Sequence, residues 1–251
     1  MIHGVIFDLG STLIYSDDDH RWGLILPRMR RDLWGHLATL GYQLDQRAFL
    51  NRFDENFRAF DEQRQASFVE YTIAFVLNRT LGELSAPLLE GEALAGALQA
   101  YYAYSEARWQ LMPGAQEALA RLRGLGLRVG LLSNAGDVGN IERLIDRFDL
   151  RRHLDPIVIS AAIGLRKPNP RAFERVLTAW GVGPGAVVMI GDTLGADILG
   201  AQLLGMRHIW LTAAADHPAN VAHRETIVPE AVAEDLTKAA DLVSLWVRES
   251  T

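Results

Sequence analysis

"VIFDLGSTLIYS", residues 5–16, runs a short apolar segment into a carboxylate, Asp8, and follows it at once with Leu9, Gly10, Ser11 and Thr12. An apolar, β-branched run without polar alternation reads as a strand covered on both faces, the position of an inner strand of a parallel sheet. Ligands of open parallel sheets bind beyond the carboxyl ends of the strands, where Asp8 stands. The stretch therefore predicts both a fold class and the edge of the sheet on which to look for chemistry.

Comparable runs recur along the chain. Ile2–Phe7, Arg128–Leu132, Pro156–Ser160 and Ala186–Ile190 read as buried parallel strands, with a fifth at Arg207–Leu211. Helical stretches at Gly114–Arg123, Val138–Arg147, Pro170–Trp180 and Gly195–Leu204 separate the later ones. This alternation predicts an α/β fold with a doubly wound parallel sheet.

Residues 17–107 interrupt the alternation. Trp22, Leu26, Met29, Leu33, Leu37 and Leu40 recur at helical spacing, and Phe49, Phe53, Phe57 and Phe60 repeat every three or four residues. Further helices are expected at Phe68–Arg79 and Pro87–Trp109. The aromatics read as core rather than as a ligand box. The Pro-Gly of "LMPGAQEAL", residues 111–119, marks the return to the sheet. The expected organisation is a core of residues 1–16 and 108–251 with a helical insertion over 17–107. Asp216–Pro229 reads as a loop, and a last helix is expected to end near Trp246.

Composition narrows the function classes. Of 251 residues, 49% are hydrophobic and 22% charged, with a formal net charge of -6, which suits a packed soluble protein and no nucleic-acid or anionic-membrane surface. The absence of Cys excludes disulfides, thiol catalysis and thiolate metal sites, and suits a reducing compartment. No signal peptide and no spanning segment are read, so a cytoplasmic protein is expected. Of the 25 basic residues only Lys167 and Lys238 are lysines.

The polar residues just past the strands should meet at one edge. The first strand gives Asp8; "VGLLSN" gives Ser133 and Asn134; "GLRKPNP" gives Lys167; "VVMIGDTLGAD" gives Asp192 and, five residues on, Asp197. Any one of these is an ordinary turn or cap residue. Together they place three carboxylates, a hydroxyl and an amine at one edge. Acids so placed repel one another unless a cation neutralises them. With oxygen donors and no Cys, a hard octahedral ion such as Mg²⁺ is the natural partner. Such an ion bridges carboxylate to substrate phosphate, Ser and Lys hold the other phosphoryl oxygens, and one acid is left to attack phosphorus. In a chain that otherwise uses Arg, a compact ammonium at Lys167 suits a phosphate position.

"FDLGSTL", "LLSN", "LRKPNP" and "IGDTLGAD" resemble, in order and spacing, the four motifs of the haloacid dehalogenase superfamily. The helical insertion resembles the C1-type cap of its first subfamily. The resemblance implies Asp8 as nucleophile and Mg²⁺ ligand, with the Gly10 carbonyl and Asp192 as further ligands and Asp197 as an acid reaching the metal through water. It implies Ser133, Asn134 and Lys167 on the phosphoryl group of a small phosphorylated substrate, and Thr12 ordering the first loop beside the substrate. A homodimer is compatible with it.

One position departs from the pattern. Phosphatases of this family carry a second Asp two residues after the nucleophile, which protonates the leaving group and then activates water; here that position is Gly10. A backbone ligand role survives, but an acid–base role does not. Three readings follow. Another acid substitutes, with Asp17, Asp18, Asp19 and His20 as candidates; or the leaving group needs no proton, as with acyl or aryl phosphates; or turnover is weak and the protein binds a phosphorylated ligand or a partner. The dehalogenase branch also lacks that Asp but works without metal and lacks the Asp192–Asp197 pair. Arg21, Arg28, Arg30, Arg31, Arg52, Arg58 and Arg64 of the insertion are candidates for a second anionic group of the substrate.

Overall fold

The computed structural model describes residues 1–16 and 22–249. Six strands form one parallel sheet: β1 (Gly4–Phe7), β4 (Arg128–Ser133), β5 (Ile157–Ile159), β6 (Val187–Gly191), β7 (Arg207–Leu211) and β8 (Ala231–Ala233), in the order β5-β4-β1-β6-β7-β8. β1 lies centrally, with Phe7 opposite Leu131 on one side and Ile190 on the other. The carboxyl ends of β1, β4 and β6 thus emerge side by side.

Helices cover both faces. α5 (Ala115–Gly124), α6 (Val138–Arg147) and α11 (Leu236–Glu249) pack on the face carrying Val5, Phe7, Val129, Leu131, Val188 and Ile190. α8 (Pro170–Trp180) and α9 (Leu199–Leu204) pack on the face carrying Ile6, Leu132, Val187 and Met189. Alternate residues of one strand thus feed opposite cores, which is why the strands read as continuous apolar runs. The helix ends follow local chemistry. The Asp137 carboxylate accepts from the Asn140 N–H to start α6, and Asn169 caps α8, where Pro170 opens the helix and Gly181 ends it in a left-handed turn.

A two-stranded antiparallel ribbon, β2 (Ile14–Ser16) with β3 (Trp109–Leu111), carries the chain out of and back into the core. Between these strands lie α1 (Trp22–Thr39), α2 (Gln46–Ser67), α3 (Ile73–Glu83) and α4 (Gly91–Glu106). They bury an apolar cluster of their own around Leu33, Leu37, Phe49, Phe53, Leu77 and Tyr101. Burying each such side chain stabilises the bundle by roughly 1.5–3 kcal/mol. The phenylalanine repeat is therefore core packing.

Several sequence expectations are corrected. The helix expected at Phe68–Arg79 runs from Ile73 to Glu83, because Phe68 ends α2 in a left-handed conformation (φ 56°) and the Thr72 hydroxyl, accepting from the Phe75 N–H, starts α3. The helix expected to reach Trp109 ends at Glu106, and Trp109 begins β3. The loop after Asp216 contains a short helix, α10 (Pro218–Val221), and α11 runs on past Trp246 to Glu249. The short helix α7 (Ser160–Ile163) follows β5 directly. Among the described residues no helix is long and apolar enough to cross a membrane.

Candidate active site

The three strand ends open into a cavity of about 490 Å³ lined by Asp8, Gly10, Ser11, Ser133, Asn134, Lys167, Asp192 and Asp197, with Tyr15, Trp109 and Met112 on the β2–β3 side. Asp8 follows β1, and its N–H donates to the Ile190 carbonyl (3.0 Å), so the nucleophile candidate is held by the neighbouring strand. Ser133 is the last residue of β4 and is buried.

Lys167 is the electrostatic centre. Its side chain is 2% exposed, and Nζ lies 2.6 Å from Asp8 Oδ1 and 2.6 Å from Asp197 Oδ1. Burial disfavours the ammonium, but Asp197 and Asp8 outweigh it and hold the Lys167 pKa above the ordinary lysine value. The lysine stays charged. Its peptide group is clamped by Asn134, whose Oδ1 accepts from the Lys167 N–H (2.8 Å) and whose Nδ2 donates to the Lys167 carbonyl (3.0 Å). The Asn134 side chain thus places Lys167 while also lining the cavity.

Asp197 is placed by a local irregularity. The helix expected over Gly195–Leu204 is preceded and opened by a π-helical turn, Leu194–Ile198, before α9. This wider turn brings the Asp197 carboxylate back over the strand end, where Oδ2 accepts from the Thr193 N–H (3.0 Å). A side chain at Gly191 would put its Cβ 2.3 Å from Asp197 Cγ, so only glycine admits this fold-back. The buried Asn220, unremarked in the sequence, ties the loop after β7 to the Asp192 loop. Its Nδ2 donates to the carbonyls of Asp192 (2.9 Å) and Ala214 (2.8 Å), and its Oδ1 accepts from the Leu194 N–H (2.8 Å). Thr12 is fully buried, and its hydroxyl donates to Asp192 Oδ1 (3.5 Å). It belongs to the loop's internal packing, against the Asp192 carboxylate.

Asp8, Asp192 and Asp197 each offer a carboxylate oxygen within 4.8 Å of the others. Burial, and then the charges of Asp8 and Asp197, push Asp192 well above the carboxylate range. Burial raises Asp197 to about 6, against the opposing pull of Lys167. Three acids face one ammonium, a surplus of negative charge that an oxygen-liganded divalent cation relieves, so the donor set fits Mg²⁺. The sign of its pH dependence follows. Raised carboxylate pKa values mean that the metal-free fold loses stability as pH climbs from the unfolded value toward about 6, because ionising the acids there costs free energy. Protons also compete with the metal. The increase in Tm on adding Mg²⁺ should therefore be larger at about pH 7.5 than at about pH 5. Equal shifts at both, or none, would contradict this site.

Four of the insertion's arginines are paired with carboxylates of the insertion itself. Arg28 pairs with Asp32, Arg30 with Asp54, Arg52 with Glu55 and Arg64 with Asp61. The arginine lining the cavity is Arg166, beside Lys167. Asp17–His20 and Arg21 lie outside the described residues.

Comparisons with known proteins bear on this geometry. The sequence profile of the haloacid dehalogenase-like hydrolases matches residues 2–205. A glyceraldehyde 3-phosphate phosphatase of Pyrococcus abyssi is 32% identical over 210 residues, 84% of this chain and 81% of that protein. A phosphoserine phosphatase of Thermus thermophilus is 38% identical over 104 residues, 41% of each chain. The crystal structure of a 2-haloacid dehalogenase from Pseudomonas syringae superposes with a TM-score of 0.68 at 25% identity, covering 98% of this chain and 100% of that one. With a profile match running from the first strand to the turn after α9, the chain belongs to the haloacid dehalogenase-like hydrolases.

Proposed function

We propose that this hydrolase is a Mg²⁺-dependent phosphatase acting on a small phosphorylated metabolite through an aspartyl-phosphate on Asp8. The observation that carries the reading is the buried Lys167 ammonium, 2.6 Å from both Asp8 and Asp197, at the floor of a cavity that also holds Ser133 and Asp192. A carboxylate oxygen of Asp8 forms a bond to phosphorus as the bond to the leaving oxygen breaks. Water then attacks phosphorus, releases phosphate and restores the carboxylate. Lys167 and Ser133 stabilise the charge on the phosphoryl oxygens during both steps. Mg²⁺ would be held by Asp8, Asp192, Asp197 and the Gly10 carbonyl, where it supplies further neutralisation of phosphoryl charge. Residues 17–107 act as a cap that closes the cavity over the substrate, and the cavity volume suits a metabolite rather than a polymer.

The leaving-group side is the unusual part. Among the described residues, a Cβ at Gly10 would meet only the Trp109 ring, at 3.6 Å. Where relatives of the phosphatase type carry an acid, this cavity has open space beside an indole. That favours leaving groups stable without a proton, aryl or acyl phosphates, over alkyl ones. The names of the relatives nevertheless put glyceraldehyde 3-phosphate and phosphoserine on the test panel.

The test is hydrolysis of an aryl phosphate, an acyl phosphate and those two alkyl phosphates, with Mg²⁺ and with excess chelator. Turnover of the aryl and acyl esters that falls at least about tenfold in chelator is expected. A second reading is favoured by Gly10 together with the dehalogenase likeness. Halide release from a 2-haloacid in chelator would establish it and remove the phosphatase. Phosphate binding with Mg²⁺ but no turnover would leave a binding protein.

A further inference from the structure

The segment between α2 and α3 does more than connect them. Val69 forms an antiparallel bridge with Leu165. The Glu70 N–H donates to the Gly164 carbonyl (3.0 Å), the Arg166 N–H donates to the Phe68 carbonyl (3.0 Å), and the Ile73 N–H donates to the Gly136 carbonyl (2.9 Å). One stretch of the helical insertion is thus hydrogen-bonded to both the loop after Ser133 and the loop that leads into Lys167.

At the middle of this stretch sits a buried carboxylate. The Glu70 side chain is 1% exposed. Its Oε2 accepts from the Ser160 hydroxyl (2.7 Å), and that same hydroxyl oxygen accepts from the Ala135 N–H (2.8 Å). Ala135 follows Asn134, whose amide clamps the Lys167 peptide. The carboxylate also lies between two guanidiniums from the two sides of the junction: Arg64 of α2 at 3.6 Å and the cavity-lining Arg166 at 3.9 Å. A buried carboxylate is costly unless it is paired and hydrogen-bonded, and a plain linker would be covered more cheaply by an apolar side chain. Without Glu70, Arg166 would lose its nearest carboxylate and Arg64 would keep its pair with Asp61.

We propose that Glu70 is a positioning residue. Through Ser160 and between Arg64 and Arg166, it locks the helical insertion onto the Ser133–Asn134 and Lys167 loops, so that insertion docking and phosphoryl grip form one cooperative unit. For its effect on turnover the proposal rests on the phosphatase reading; the docking itself does not.

The experiment combines amide hydrogen exchange with kinetics on an aryl phosphate for Glu70→Ala, Glu70→Gln and Ser160→Ala. In Glu70→Ala the amides of residues 70, 73, 135 and 166 should exchange at least about tenfold faster than in wild type while β4 amides keep their protection, and kcat should fall about tenfold or more. Glu70→Gln keeps an acceptor for Ser160 and should retain part of kcat. Should Glu70→Ala not fold, Ser160→Ala carries the test: its Ala135 amide must exchange faster and its kcat must drop. Junction exchange as in wild type, with kcat within about twofold, would overturn the proposal. So would exchange raised uniformly across the core, with a lower Tm and an unchanged kcat, since that is a stabilising residue and no more. If wild type turns over no phosphate ester, the phosphatase reading fails, and the exchange pattern alone still decides whether Glu70 holds the junction.

Discussion

Replacing Lys167 by alanine is expected to lower kcat on an aryl phosphate about 10³-fold, roughly 4 kcal/mol of transition-state stabilisation. The size follows from the geometry. One ammonium sits 2.6 Å from both Asp8 and Asp197 with its side chain 2% exposed, so no solvent cation can take its place without the cavity rearranging. Its removal withdraws a fixed positive charge from the transferring phosphoryl group. It also leaves the Asp8, Asp192 and Asp197 carboxylates together without the ammonium they share. Removing one partner of a buried ion pair commonly costs about 3–5 kcal/mol of stability, so Tm should fall in chelator and recover in part with Mg²⁺. Lys167→Arg is not expected to rescue turnover, because a planar guanidinium fork cannot present a single nitrogen to two carboxylates in so closed a space. Activity of Lys167→Ala within about threefold of wild type, with the fold retained, would remove the lysine from the reaction.

Lys167 also shows how much of the site was legible in the sequence. Asp8, Ser133, Lys167, Asp192 and Asp197 announce themselves because each follows an apolar strand, and parallel strands deliver such residues to one edge. Elements with strong local signals were read to their ends. α6 and α8 have cap residues at Asp137 and Asn169, and β7 is a compact apolar run. The three-residue strands β2, β3 and β8 are too short to show any periodicity. The π-helical turn at Leu194–Ile198 has the same apolar pattern as an ordinary helix start, and what sets it apart is the fold-back of Asp197 onto Gly191, a contact fixed by tertiary structure.

The shifted helix boundary at Phe68 has a different cause. Phe68 takes a left-handed conformation with no glycine or asparagine to announce it, so the helical pattern of the sequence runs on past it. What overrides the pattern is the pairing of Val69 with Leu165, a partner far away in sequence. The same non-locality hides Glu70, which reads as one more charged residue until Ser160, Arg64 and Arg166 surround it. Side-chain direction at a strand end is likewise not written in residue order. Asn134 turns to the Lys167 peptide and Thr12 to Asp192.

Gly10→Asp is expected to raise kcat/KM on an alkyl phosphate about 10²-fold or more, while changing an aryl phosphate by only a few-fold. The two half-reactions make different demands. Attack by Asp8 draws on groups already at the cavity: Ser133, Lys167 and the carboxylate cluster. Departure of an alkoxide and activation of water draw on a proton donor and acceptor, and general acid–base help of that kind is typically worth about 10²–10⁴-fold. Gly10 supplies neither. Its absence of a side chain is not forced by space, since among the described residues the only heavy atom within 4 Å of a built Cβ is on the Trp109 ring at 3.6 Å, an ordinary contact. Its backbone is also outside the left-handed region, where a side chain would be strained. An Asp therefore fits, and its gain reads the missing chemistry directly. In wild type, aryl and acyl phosphates should outpace alkyl ones by a similar factor, and phosphorylated Asp8 should accumulate when the second step is the slower. If wild type hydrolyses alkyl phosphates as fast as aryl ones and Gly10→Asp adds nothing, another group already does the acid's work. His217 is then the first residue to replace. It lines the cavity, and its Nδ1 accepts from the Ala219 N–H (3.3 Å). A loss of alkyl turnover in His217→Gln, restored by adding Gly10→Asp, would then place the acid on the loop after β7.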